Sequence, residues 1–135
     1  MDRFALVNWL SVFVASLSGF VTGSLWYGPL FGKVWSRLAG VDRSAAPRIA
    51  APLLFGGAWL CNLVAAAGIA LQNGAHTGVW FALHVGLMGA VFFIAPALGV
   101  IHLFEQRPLK HWLVNAGYQV VNFSVMGAII GAWAR

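Results

Sequence analysis

Two histidines, a carboxylate and a group of amides are the residues whose types and spacing can do chemistry in this chain. His84, Met88, Val91, Ala95, Leu98, His102 and Glu105 recur at helical spacing, which places both imidazoles and the carboxylate on one predicted face. Asn115, Gln119, Asn122 and Met126 form a second stripe with Tyr118 beside it, and Asn62 is the one strongly polar side chain in the stretch around it. Thr22, Trp26 and Tyr27 close the first long apolar run. Imidazole beside carboxylate is proton-handling chemistry, and amides with hydroxyls and indoles bind small polar groups, so Thr22, Trp26, Tyr27, Asn62, His84, His102, Glu105, Asn115, Tyr118 and Gln119 read as the lining of a polar vestibule. The same groups equally serve as hydrogen-bonding glue between helices.

Other chemistries find no support in the spacing. His84 and His102 stand roughly 27 Å apart along a helix, too far to share one metal. The chain has no HExxH, CxxC or GxSxG pattern. A haem held by two histidines needs a second histidine at matching depth on another span, and only His111 at an edge is available. No catalytic residue, metal ligand or cofactor is therefore assigned, and an enzyme is not the expected reading. Cys61 is the single cysteine, so no disulfide forms within the chain, and it reads as an inert thiol inside a span.

These residues sit in a chain of 135 residues that is 61% hydrophobic and 8% charged, with mean hydropathy +0.83, a composition whose solvent is the lipid bilayer. No Asp, Glu, Lys or Arg occurs over 4–32, 49–104 or 111–134. At about 20 apolar residues per crossing, those blocks hold one, two and one spans. The expected fold is an all-α single domain over 1–135 with four transmembrane helices at about 4–27, 50–71, 78–104 and 111–133. The first span reads as a retained helix rather than a cleaved signal, because Asp2 offsets Arg3 and the apolar run continues past Ser16-Leu17-Ser18.

Along the chain, Asn8, Ser11, Ser18 and Thr22 share a stripe on span one that is expected to face protein. Trp26 and Tyr27 suit the headgroup level, and Gly28-Pro29 is expected to break the helix. From Pro29 to Leu38, Lys33 and Arg37 alternate with apolar residues, an amphipathic segment suited to the membrane surface. Pro96 frees the carbonyl of Phe92 and predicts a kink in span three. Gly19 with Gly23, and Gly127 with Gly131, are small-xxx-small pairs that predict close helix packing and, through it, a homo-oligomer. An echo between Pro29–Trp35 and Pro108–Trp112 is too short to establish a repeat.

The net charge of +5 comes without a basic run or a nucleic-acid motif, so nucleic acid is not an expected partner. Lys33, Arg37, Arg43, Arg48, Arg107 and Lys110 fall in the first and third loops, against Arg3 and Arg135 on the other side. The positive-inside rule then puts those loops in the cytoplasm of a bacterial inner membrane and both termini outside.

The stretches G-S-L-W-Y-G-P-L-F-G-K-V-W, closing span one, and N-A-G-Y-Q-V-V-N-F-S-V-M-G-A-I-I-G-A-W, in span four, resemble an uncharacterised family of small bacterial and fungal four-span membrane proteins, a domain of unknown function. The resemblance implies a one-domain membrane protein and brings no catalytic residues. Two functions fit: a small solute or proton-linked carrier with a cytoplasmic vestibule, or an accessory or assembly subunit of a larger membrane complex.

Overall fold

The computed structural model describes residues 3–40 and 49–133. The charges expected to shape topology at Arg43, Arg48 and Arg135 lie outside the described residues. Asn8 starts the first helix: its side-chain oxygen accepts the N–H groups of Leu10 at 3.1 Å and Ser11 at 3.3 Å, satisfying donors that have no partner inside the helix. Helix α1 therefore runs over Trp9–Leu25, and the chain before it is a 3-10 turn, Arg3–Leu6. One expectation is corrected here: Asn8 is a cap rather than a member of the polar stripe, and the regular helix begins just after it, at Trp9, with Phe4 in the 3-10 turn before it. The hydroxyls behind it bond back to their own turn, Ser11 to the Asn8 carbonyl and Ser18 to the Ala15 carbonyl, each at 2.6 Å.

Gly28-Pro29 does not cut the helix. Trp26–Leu30 form a π turn with Pro29 inside it, closed by the Phe31 N–H on the Trp26 carbonyl at 2.8 Å. A five-residue step is wider than an α turn and accommodates the missing N–H and the ring of proline. Helix α2, Gly32–Ala39, follows and stops at Gly40 (φ 70°). Lys33 and Arg37 are exposed while Val34, Trp35 and Leu38 are half-buried, so α2 is the amphipathic helix, starting after Pro29 because that residue is spent in the turn.

Helix α3 covers Ala51–Asn73 and α4 covers Val79–Gly89; a second π turn, Ala90–Ile94, leads into α5, Ala95–Phe104, with Pro96 in its first turn. Arg3 donates to the Leu71 carbonyl at 3.0 Å, which ties the start of the chain to the α3–α4 turn. The second π turn corrects the shared histidine stripe. Eighteen residues make five turns of a regular helix, but one extra residue turns everything beyond it by about 100°. His84 is accordingly exposed, whereas His102 is buried.

Helix α6, Leu109–Trp133, touches α1, α3, α4 and α5, and its closest partner is α4. Glycines explain the closeness. A Cβ on Gly127 would meet the Ala82 carbonyl, one on Gly131 would stand 2.6 Å from the Gly78 oxygen, and one on Gly86 would meet the Phe123 carbonyl. Gly19 faces Asn62 and Gly23 faces Tyr118 at 3.5 Å. All four glycines expected to seat a second copy are thus spent on contacts within the chain. Val12, Ala15, Ala66, Ile69, Met126 and Ile130 make the core, while Phe93 (75% exposed) and Phe104 (86%) are part of an apolar exterior. With four helices long and apolar enough to cross a membrane and no strand among the described residues, this is an all-α multi-pass membrane protein in contact with lipid.

Candidate functional site

The polar residues gather along one face of α6. At its first turns, Asn115 stands between two other helices. The Tyr27 hydroxyl, carried by the first π turn, donates to Asn115 Oδ1 at 2.8 Å, and Asn115 Nδ2 is 3.1 Å from His102 Nε2 on α5. His102 Nδ1 is 2.7 Å from the Leu98 carbonyl, which can only accept. Nδ1 therefore carries the proton and Nε2 accepts from the amide, so the chain of bonds runs in one direction from Tyr27 through Asn115 and His102 to Leu98. Trp26 Nε1 donates to the Val114 carbonyl at 2.9 Å. The two aromatics that the sequence places at the headgroup level thus turn their polar atoms inward. Gly117 makes this possible, since a Cβ there would stand 2.9 Å from the Trp26 ring.

One turn deeper, the Tyr118 hydroxyl donates to the Gly19 carbonyl at 3.3 Å and packs its ring 5.1 Å from that of Tyr27. Deeper again, Asn122 Nδ2 donates to Asn62 Oδ1 at 3.0 Å, joining α6 to α3 across the face left open by Gly19. Below Asn122 the face turns apolar at Met126 and Ile130. From His111 to Asn122 the polar column covers roughly 17 Å, a little over half of a hydrocarbon core of about 30 Å. Thr22 and Gln119 are half-buried and make no side-chain hydrogen bond among the described residues. Asn122 Oδ1 is buried without a hydrogen-bond partner.

Glu105 does not pair with His102. It is exposed and bonds Arg107 at 3.2 Å, and Arg107 Nη1 in turn lies 3.3 Å from His111 Nδ1. The neighbour of His102 is His111, with ring centroids 4.9 Å apart in an edge-to-face arrangement. His111 is buried at the head of the column, a role hidden by its position at the edge of the span, although the spacing His111, Asn115, Tyr118, Asn122 continues the stripe by one turn. Trp112, also unassigned by sequence, donates from Nε1 to the Ala95 carbonyl at 2.9 Å, just beyond the second π turn. No group of three or more His, Cys, Asp or Glu among the described residues is placed to hold a metal ion.

His84 stands apart from all of these. It lines a cleft of about 840 Å³ between α3 and α4, together with Cys61, Gly68, Gln72, Met88 and Phe93. The cleft opens sideways, because Cys61, Gly68, His84, Met88 and Phe93 are all exposed on the outside of the bundle.

Comparison with curated proteins and with solved structures returns no match. A family described as a protein of unknown function, DUF1761, matches residues 10–131, nearly the whole chain and all but the outermost residues of the four apolar helices. The W-Y-G-P-L-F-G stretch that contains the first π turn and the N-A-G-Y-Q-V-V-N stretch that carries most of the polar column both fall within that match, and the chain belongs to this family.

Proposed function

We propose that the protein is an accessory or assembly subunit of a larger membrane complex rather than a carrier through its own bundle. One observation carries this reading: Trp26, Tyr27, Asn62, His102, Asn115 and Tyr118, six of the residues suited to a vestibule, already have hydrogen-bond partners within the chain. Tyr27, Asn115 and His102 form a closed run of hydrogen bonds ending on a backbone carbonyl, and Trp26, Tyr118 and Asn122 each reach a partner on another helix. Polar side chains inside a span need such partners when no ligand or water is to meet them. The column also ends on the apolar layer of Met126 and Ile130. The carrier reading keeps one specific support, the unpartnered Asn122 Oδ1 with Thr22 and Gln119 alongside.

In this reading the protein sits in a bacterial inner membrane with both termini outside. Lys33, Arg37, Arg107 and Lys110 support the orientation, since among the described residues they lie at one end of the bundle and Arg3 at the other. A reporter fused after Arg135 is expected to be active outside the cytoplasm; cytoplasmic activity there overturns the orientation. Purification of the tagged chain from native membranes in mild detergent tests the role. A stoichiometric larger membrane partner is expected, while recovery of the chain alone, with solute uptake by vesicles containing only this protein, establishes the carrier instead.

A further inference from the structure

We infer that the cleft between α3 and α4 is a lateral binding site for a single-chain amphiphile whose head carries an O–H donor. This goes beyond the accessory-subunit reading and does not depend on it.

The cleft is built by packing elsewhere. Gly86, Gly127 and Gly131 draw α4 against α6, and α4 packs far less against α3. Gly68 on α3 faces open space, since nothing lies within 4 Å of a Cβ placed there. The result is a concavity of about 840 Å³ on the lipid-facing side, within the roughly 300–1,000 Å³ usual for small-ligand sites.

Its two ends differ chemically. Gln72 is next to last in α3, and His84 is the sixth residue of α4, so both polar groups lie toward the α3–α4 turn. From there the lining runs through Gly68 and Met88 to Cys61 and Phe93 near the middle of the spans. Cys61 and Gln72 stand roughly 17 Å apart along the helix. A polar end near the membrane surface and an apolar trough running inward match a molecule with one head and one chain.

The imidazole sets the head chemistry. His84 Nδ1 is 2.7 Å from the Trp80 carbonyl, an oxygen that can only accept, so Nδ1 holds the proton and Nε2 is left as an acceptor. Nε2 has no hydrogen-bond partner among the described residues. An imidazole on the outer face of a span is costly against hydrocarbon alone, and a hydroxyl or carboxylic acid O–H satisfies it.

The test uses the full chain in phosphatidylcholine vesicles with two photoactivatable probes, palmitic acid and hexadecanol, each carrying a diazirine in the chain, and peptide mapping of the adducts. Adducts concentrated on α3 and α4 around Cys61 and Met88, reduced at least tenfold by unlabelled probe, are expected. Labelling by both probes identifies the O–H group as the shared determinant; labelling by one alone identifies an acid or an alcohol as the natural class. Gly68→Phe places a ring in the trough from a position where a Cβ meets nothing within 4 Å and is expected to abolish the adducts, whereas Gly57→Phe, at a position equally open to a Cβ, leaves them unchanged. His84→Leu is expected to weaken competition by the unlabelled probe at least fivefold. The inference is overturned if adducts spread evenly over the outer face, Phe92 and Leu103 included, if Gly68→Phe leaves them intact, or if a co-purified protein occupies the cleft instead.

Discussion

Replacing Asn115 by leucine removes both of its bonds at once while keeping roughly the same volume. It removes the bond from the Tyr27 hydroxyl to Oδ1, 2.8 Å long, and the bond from Nδ2 to His102 Nε2, 3.1 Å long. An unpaired buried polar group costs about 1–3 kcal/mol in water-soluble proteins. In membranes the measured value per interhelical bond is nearer 0.6 kcal/mol, with a maximum of about 1.7, because the unfolded chain in lipid also finds partners. Tyr27 and Asn115 are only half-buried, so the membrane figure governs. Two bonds lost then predict a destabilisation of about 1–3 kcal/mol for Asn115→Leu. A double-mutant cycle with Tyr27→Phe isolates the shared bond, and its coupling is expected at about 0.6–1.7 kcal/mol. The control pair, Tyr27→Phe with Asn8→Ala at the far end of the same helix, is expected to be additive within about 0.5 kcal/mol. Unfolding in mixed micelles, followed by fluorescence of the seven tryptophans, measures all of these. Additive behaviour of Tyr27→Phe and Asn115→Leu refutes the linked chain of bonds.

Two further outcomes concern packing and capping. Gly127→Ala presses a methyl group on the Ala82 backbone, whereas Gly57→Ala meets nothing within 4 Å, so their unfolding free energies are expected to differ by about 1–3 kcal/mol, with Gly57→Ala the more stable; equal stabilities in the same assay refute the close α4–α6 approach. Asn8→Ala removes the cap of α1 and is expected to lose about 1 kcal/mol while Asn8→Ser keeps most of it, measured by the same unfolding, and a neutral Asn8→Ala contradicts the capping role.

The four spans were legible because hydropathy depends on composition over some 20 residues, which no local detail disturbs. The amphipathic helix α2 was legible for a similar reason, since charges at Lys33 and Arg37 mark its outer side whichever residue begins it. What failed was register. A stripe drawn at 3.6 residues per turn through His84 and His102 assumes an unbroken α-helix, and the π turn at Ala90–Ile94 adds a residue that hydropathy does not register. Pro96 signalled a disturbance but not its form. The glycine pairs announced close approach without naming the partner, and the partner of Gly127 and Gly131 is α4 of the same chain. Gly117 carried no signal, because its role exists only once Trp26 lies across it. Asn115 and Tyr118 were marked out by the expense of polar groups in a span, whereas their pairing with His102, Tyr27 and Gly19 depends on how three spans meet.

Water access to the polar column tests the central claim most directly. Gln119 and Thr22 make no side-chain hydrogen bond among the described residues, so in a Cys61→Ser background Gln119→Cys and Thr22→Cys probe the column without breaking it. A charged, membrane-impermeant thiol reagent is applied to vesicles of both orientations, with exposed Lys33→Cys as the reference. If the column is a fastener between helices, both probes react at least tenfold more slowly than the reference from either side; reaction of either at the reference rate reveals a water-filled vestibule and contradicts the account.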